Sequence, residues 1–181
     1  DPGASHHCMA TPPPRLGRRA AAEDLPRDLL SVRSDDAEAH ADLSQIYADT
    51  NRREQAIDAL ARATALRPHE PRYYAQIGRL RMAIGDSSGA RAAFQRAAQL
   101  ADDDAALQDA LGEAYEATGE LQAALLAYRR AVQIEPRNER LLRRLGSLLG
   151  KVASYDEGID VLRTALSLRP DSAESYAELG L

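Results

Sequence analysis

Large apolar residues return at a fixed interval along the chain. One aliphatic column recurs every 34 residues, at Leu43, Ile77, Leu111, Leu145 and Leu179. A second column with the same interval runs through Leu60, Phe94, Tyr128 and Leu162. Self-similarity at a period of about 20 to 50 residues is the signature of repeat architectures. We therefore predict a stack of similar units, each made of two antiparallel helices.

Small residues form further columns with the same interval. They are Ser44, Gly78, Gly112, Gly146 and Gly180; Ala56, Ala90, Ala124 and Gly158; and Ala63, Ala97, Ala131 and Ala165. We expect the first two columns to face each other where the helices of one unit approach, and the third to admit the next unit. On this basis Gly112→Leu should lower the free energy of unfolding by several kcal/mol through overpacking, whereas Gln108→Leu should have a small effect.

Turn residues and prolines divide the units. Asn51, Gly85 and Gly119 are expected to end the first helices in a left-handed conformation, and Ala153 predicts a weaker stop in the fourth unit. Pro68, Pro136 and Pro170 follow the second helices, with Asp102 where a fourth proline would stand. The units run over 37–70, 71–104, 105–138 and 139–172, with the first helix of a fifth over 173–181. Residues 21–36 are expected to form a degenerate repeat end or cap, and 1–20 to be disordered.

These columns resemble the tetratricopeptide repeat family. Leu-Gly at the seventh and eighth positions, Tyr47 and Tyr115 at the eleventh, the alanines and the prolines follow that family's 34-residue pattern over residues 37–181. The resemblance implies an all-α fold, a right-handed superhelical solenoid of antiparallel helix hairpins. It also implies a concave groove lined by the first helices, where relatives bind partners.

Composition narrows the classes of partner. The 181 residues carry a net charge of −5, so we expect no basic face for nucleic acid. A single cysteine, Cys8, excludes an internal disulfide, and no apolar run approaches the length needed to cross a bilayer. We expect a cytoplasmic protein that does not bind membranes.

The groove positions that the resemblance implies carry charges of alternating sign. The candidate ligand-binding residues are Arg72, Gln76, Arg79, Asp109, Glu113, Arg140, Arg143, Arg144 and Lys151. One interpretation is that the charges pair between adjacent first helices, with Asp109 and Glu113 beside Arg143 and Arg144. The other is that Arg79 and the arginines of the fourth unit hold an acidic peptide or a terminal carboxylate.

Two binding modes known in the family are not matched. The chaperone-tail clamp would require Lys and two Asn where this chain has Ala75, Arg79 and Ala110. The asparagine ladder of glycosyltransferase relatives would require Asn at every sixth position, a column that here reads Asp42, Gln76, Ala110, Arg144 and Glu178.

Candidate catalytic chemistry is sparse. His6, His7 and Cys8 lie together, but three ligands in a flexible tail are insufficient for a stable metal site. Asp104 is expected to cap a helix, and Tyr74 to lie in the core. We predict no metal, no cofactor and no enzymatic activity.

The leading hypothesis is a non-catalytic protein–protein interaction scaffold that binds a peptide or helix in the groove. The alternative is the substrate-docking arm of a larger enzyme, of glycosyltransferase or sulfotransferase type, whose catalytic domain lies beyond residue 181. A homodimer through the terminal hairpins is a third hypothesis, and the oligomeric state stays open.

Overall fold

The computed structural model describes residues 36–180, and in this range the chain is helical throughout, without strands. The helices are α1 (Ala37–Asp49), α2 (Arg53–Leu66), α3 (Pro71–Ala83), α4 (Ser87–Leu100), α5 (Ala105–Ala117), α6 (Leu121–Ile134), α7 (Glu139–Lys151), α8 (Tyr155–Leu168) and α9 (Ala173–Leu179). They form four hairpins, α1–α2 to α7–α8, followed by α9. The predicted segment 1–20, the candidate ligands His6, His7 and Cys8, and nearly all of 21–36 lie outside the described residues.

The first helices other than α3 begin at short polar residues, whereas α3 begins with Pro71 and has no side-chain cap. The carboxylate of Asp104 accepts hydrogen bonds from the backbone N–H groups of Ala106 and Leu107, at 2.9 and 3.1 Å. Asp36, Asn138 and Ser172 cap α1, α7 and α9 in the same way. Such side chains satisfy donors that have no partner within the helix. The prediction that Asp104 caps a helix is confirmed.

A left-handed residue follows each first helix and turns the chain into the second. Asn51, Gly85, Gly119 and Ala153 have φ values of 63°, 82°, 79° and 60°. The residue after it donates its backbone N–H to the carbonyl of the residue five positions earlier, as Ser154 does to Leu149 at 2.9 Å. Ala153 makes the same turn as the other three residues, but an alanine is strained in a conformation that glycine adopts freely, so the expected weaker stop stays a prediction.

Small residues set the distance between the two helices of a hairpin. A Cβ atom built on Gly78 would lie 2.7 Å from the ring of Phe94, and one on Gly112 would lie 2.5 Å from the ring of Tyr128. The glycines of this column thus pack mainly against the large apolar residues of the second helix, and not only against the facing small column as expected. The facing column does approach the backbone, since a Cβ on Gly158 would lie 3.3 Å from the Gly146 carbonyl oxygen.

Successive hairpins stack through the second helix of one and the first helix of the next, α2 on α3, α4 on α5 and α6 on α7. Buried clusters cross each of these junctions, as where Ala63 of α2 packs with Tyr73 and Ile77 of α3. Tyr73 is 1% exposed, whereas Tyr74 is only partly buried and donates its hydroxyl to the Pro68 carbonyl. The expectation that Tyr74 lies in the core is therefore wrong, and the core residue at this helix start is Tyr73. The result is an all-α solenoid.

The second helices end at equivalent positions with or without a proline. The N–H of Ala101, just before Asp102, donates to the Ala97 carbonyl at 3.0 Å, and Arg67, just before Pro68, donates to Ala63 at 2.9 Å. A following proline is therefore not required to end a second helix at this position. Within residues 36–180, no helix is both long and apolar enough to cross a membrane.

Candidate functional site

Ten polar side chains of the first helices, of which Asp109 is buried, define a surface that we call the first-helix face. It is made by Glu38, Arg72, Gln76, Arg79, Asp109, Glu113, Glu116, Arg140, Arg144 and Lys151, on α1, α3, α5 and α7. This surface contains all the predicted groove residues except Arg143. The contacts across its three junctions differ in kind.

The first junction, between α1 and α3, is closed by one carboxylate. Glu38 accepts hydrogen bonds from Arg72, from Arg67 at 2.9 Å and from the Tyr73 hydroxyl at 3.1 Å. The guanidinium of Arg72 also lies 5.0 Å from the centre of the Tyr73 ring. Arg72 therefore has a fixed position while half of its side chain remains exposed.

The third junction, between α5 and α7, is closed by a larger ionic cluster. Arg140 donates to Asp109 at 2.8 Å, and Arg144 lies 3.0 Å from Glu113 and 3.3 Å from the second oxygen of Asp109. Both contacts join residues 31 apart in sequence. The interpretation that the charges pair between adjacent first helices is thus confirmed for these four residues.

Asp109 is the buried member of this cluster. Its side chain is only 5% exposed, and its Oδ1 atom accepts no hydrogen bond of good geometry among the described residues. Burial raises the pKa of Asp109, and this effect exceeds the lowering caused by Arg144 and Arg140. A carboxylate held in this way orients the two arginines, but burial removes it from contact with water.

Lys151 joins the same junction one turn further along. It donates to Glu116 at 2.9 Å, and the other oxygen of Glu116 accepts the hydroxyl of Tyr128 at 2.7 Å. Burial, together with the Glu116 carboxylate, raises the pKa of Tyr128, so this hydroxyl stays protonated as a donor. The exposed lysine is thereby connected to the interior of the third hairpin.

Arg143 was expected beside Asp109 and Glu113, and this placement is wrong. Its closest carboxylate is Glu139 on its own helix, at 3.7 Å. Glu139 in turn accepts hydrogen bonds from Ser172 and Ser175, at 3.0 and 2.8 Å. Because each hairpin is rotated relative to the last, the fifth residue of a first helix faces the following hairpin, and Arg143 therefore faces α9.

The second junction, between α3 and α5, has no ionic contact on the first-helix face. The side chains of Gln76 and Arg79 form no hydrogen bond or ion pair with any residue from 36 to 180. Arg79 is exposed. On α5, the positions equivalent to Arg140 and Arg144 of α7 hold the uncharged Ala106 and Ala110. This junction is the open part of the face.

Sequence reasoning missed several polar contacts that shape the face. The contacts of Tyr73 with Glu38 and of Glu116 with Tyr128 were not foreseen, nor were those of Ser172 and Ser175 with Glu139. No recurrence marks these contacts, because the third and twelfth positions of the other first helices hold only Ala, Leu, Met or Gly.

Other surfaces offer little chemistry. A depression of about 190 Å³ lies beside His40, Tyr47 and Arg62, and an open one of about 870 Å³ lies between Arg137 and Arg169. His40 is 3% exposed. Across the described part of the chain, no group of three or more His, Cys, Asp or Glu residues could hold a metal ion.

Comparison with known proteins agrees with this architecture. A tetratricopeptide repeat family model matches residues 37–70 and 71–104, and a second one matches residues 105–148, together more than half of the chain. By sequence, no curated protein is significantly similar to the chain.

Solved structures with the same fold include those of MamA and YrrB. The crystal structure of MamA superposes with a TM-score of 0.76 at 23% identity, covering 88% of this chain and 95% of that one. MamA from Desulfovibrio magneticus RS-1 gives 0.73 at 19% identity, covering 88% and 92%. YrrB, described as a TPR protein with an unusual peptide-binding site, gives 0.76 at 17% identity, covering 92% and 87%.

The repeat columns, the stacked hairpins and the matches of the family models agree with one another. Tetratricopeptide repeat proteins are generally non-catalytic scaffolds for protein interactions. The chain belongs to the tetratricopeptide repeat family.

Proposed function

We propose that the chain is a non-catalytic scaffold that binds an extended peptide or a helix along the first-helix face. The observation that carries this proposal is a set of cations that are fixed in position and still exposed. The side chains of Arg72, Arg140 and Lys151 are each about half exposed, although each is held by a carboxylate. Similarity in fold to YrrB, which has a peptide-binding site, supports the same proposal.

Fixed cations favour binding because little conformational entropy is lost when a ligand arrives. Ordering a long side chain at an interface costs about 0.5–1.5 kcal/mol. Arginine has five N–H donors in a rigid plane, and the contact of Arg140 with Asp109 uses only part of them. The remaining donors point to solvent, where an acidic partner could accept them.

The proposal is tested by peptide selection and mapping. Dodecapeptides selected from a random display library are titrated into the isotopically labelled full chain, and amide shifts are followed by NMR. We expect the shifted amides to lie on α1, α3, α5 and α7. Shifts confined to α2, α4, α6 and α8 would contradict the proposal.

A matched pair of double variants tests the charges. Arg140→Gln with Lys151→Gln should weaken binding of acidic peptides by about tenfold, the loss of one or two exposed charge-assisted contacts. Arg129→Gln with Arg163→Gln removes the same charge from the second helices α6 and α8 and should leave binding unchanged. Reversing Arg144 is avoided, because it would place a carboxylate against the buried Asp109.

A further inference from the structure

We propose that the open second junction of the first-helix face reads an acidic side chain of the bound peptide, with Arg79 as the contacting residue. This inference rests on the proposed function and names the chemistry of its partner. It starts from a difference between junctions. The first and third are closed by the ionic contacts of Glu38 and Asp109, whereas Arg79 between them has no acidic partner within residues 36–180.

The regular stagger of the helices shows what stands opposite Arg79. Glu113, at the ninth position of its unit, contacts Arg144, which is 31 residues further on. Arg79 also stands at the ninth position, and the residue 31 further on is Ala110. The place that an internal carboxylate would take is therefore occupied by a methyl group, and the guanidinium of Arg79 is left exposed.

Apolar residues lie one turn after Arg79 on α3 and at the sixth position of α5. Met82 and Ala110 pack against the buried cluster of Phe94, Leu111 and Ala114. The nearest groove carboxylate on α5, Glu113, is already neutralised by Arg144 at 3.0 Å. A single cation beside a small apolar surface matches a carboxylate side chain flanked by aliphatic residues, and it disfavours a lysine at the same place.

We assign the ligand group to a side chain and not to a chain terminus. The first-helix face continues on both sides of Arg79, toward Arg72 and toward Arg140. A peptide that also contacts those fixed cations must run through the junction, so its Glu or Asp at this point lies within its sequence.

The test uses acetylated and amidated dodecapeptides that share randomised flanks and differ only in a central Leu-Glu-Leu, Leu-Gln-Leu or Leu-Lys-Leu. Binding to the full chain is measured by fluorescence polarisation. We expect the Glu peptides to bind about tenfold more tightly than the Gln peptides, with the Lys peptides weakest. In Arg79→Glu the order should reverse. Arg62→Glu, which makes the same charge change on the second helix α2, should keep the wild-type order.

A second variant tests the geometry without removing Arg79. Ala110→Glu supplies the missing carboxylate at the stagger of 31 residues, so it should occupy Arg79 internally and abolish the preference for Glu peptides. Ala110→Gln has nearly the same size and should retain the preference. Large side chains fit this column, since Arg144 and Gln76 stand at its equivalent positions.

The outcomes separate this inference from the proposed function. If peptides shift the amides of the first helices but the Glu and Gln sets bind equally, or Arg79→Glu keeps the wild-type order, the inference is wrong and groove binding stands. If no peptide set binds, or bound peptides leave the first helices unshifted, both are wrong.

Discussion

Gly112 and Tyr128 meet where the two helices of the third hairpin cross. Gly112 leaves no room for a side chain, because a Cβ atom would lie 2.5 Å from the ring of a tyrosine that is 1% exposed. Gly150, in contrast, has nothing within 4 Å of such an atom. Substitution by alanine should therefore have opposite effects on stability at these two glycines of neighbouring first helices.

We predict that Gly112→Ala lowers the free energy of unfolding by about 1–3 kcal/mol, and that Gly112→Leu lowers it by more, through overpacking. Gly150→Ala should raise it by about 0.5–1 kcal/mol, because alanine has the higher helix propensity. Gln108→Leu, at a buried side chain on the same helix, should be mild. Urea unfolding measures all four, and equal tolerance of Gly112→Leu and Gln108→Leu would show that the assigned crossing point is wrong.

Ala153 is strained in the turn between α7 and α8. Its φ of 60° lies in the left-handed region, which costs a residue with a Cβ about 1–2 kcal/mol. Ala153→Gly should therefore raise the melting temperature by a few degrees, the net of relieved strain and a more flexible unfolded chain. Gly119→Ala is the reverse change at the equivalent turn and should lower it. A fall in both variants would contradict this account.

At the scale of elements, the buried carboxylate of Asp109 couples α5 to α7. Its pKa is raised in the folded chain, chiefly by burial. A carboxyl group of this kind contributes stability below its unfolded pKa, and the contribution is lost as the pH rises through the folded pKa. The ionised form at neutral pH is thus the less favourable one for folding.

Asp109→Asn, which does not titrate, should gain stability relative to the wild type as the pH is raised from below about 4 to neutral. The difference in melting temperature between the two proteins, followed over this range, measures the effect. Gln76→Asn provides the control, because it exchanges one amide for another on the same face and neither removes nor adds a titrating group. A difference that shrinks toward neutral pH would mean that the arginines outweigh burial.

The sequence predicts the helices far better than the contacts between their polar side chains. Columns such as Ala63 and Leu111 specify hairpins because burial forces the same residue types to recur. The rotation between hairpins leaves no such trace, so Arg143 was wrongly placed beside Asp109 when it faces α9. The burial of Asp109 could not be foreseen either, since it depends on that rotation. Whether Arg79 binds a ligand stays a prediction.

At the scale of the molecule, the main contacts between hairpins within residues 36–180 join neighbours in the stack. The junction between the third and fourth hairpins is centred on Leu148, which is 0% exposed and packs with Leu125 and Tyr128. In such an array, stability is a sum of terms within hairpins and terms between neighbours. If one junction is weakened, the parts of the array on its two sides should therefore unfold in separate transitions.

Leu148→Ala should cost about 2–5 kcal/mol and should lower the apparent m value in urea, as the two sides of the junction begin to unfold separately. Leu126→Ala, on the neighbouring α6, removes a side chain that is 69% exposed and should change neither quantity. If the m value of Leu148→Ala equals that of the wild type, the four hairpins unfold as a single unit.

The hypotheses of a catalytic domain beyond residue 181 and of a homodimer also belong to this scale, and both stay predictions. The intact mass of the native protein tests the first. Sedimentation over a range of concentrations tests the second.

The stagger of the charged contacts also limits how such an array could grow by duplication. Asp109 relies on Arg140 and Arg144, which belong to the following hairpin. If the third hairpin were copied directly after itself, Asp109 would face Ala106 and Ala110 of the copy and would lie buried without a counter-charge. A copy of the third hairpin should therefore carry the fourth hairpin with it, so that each Asp109 keeps its two arginines.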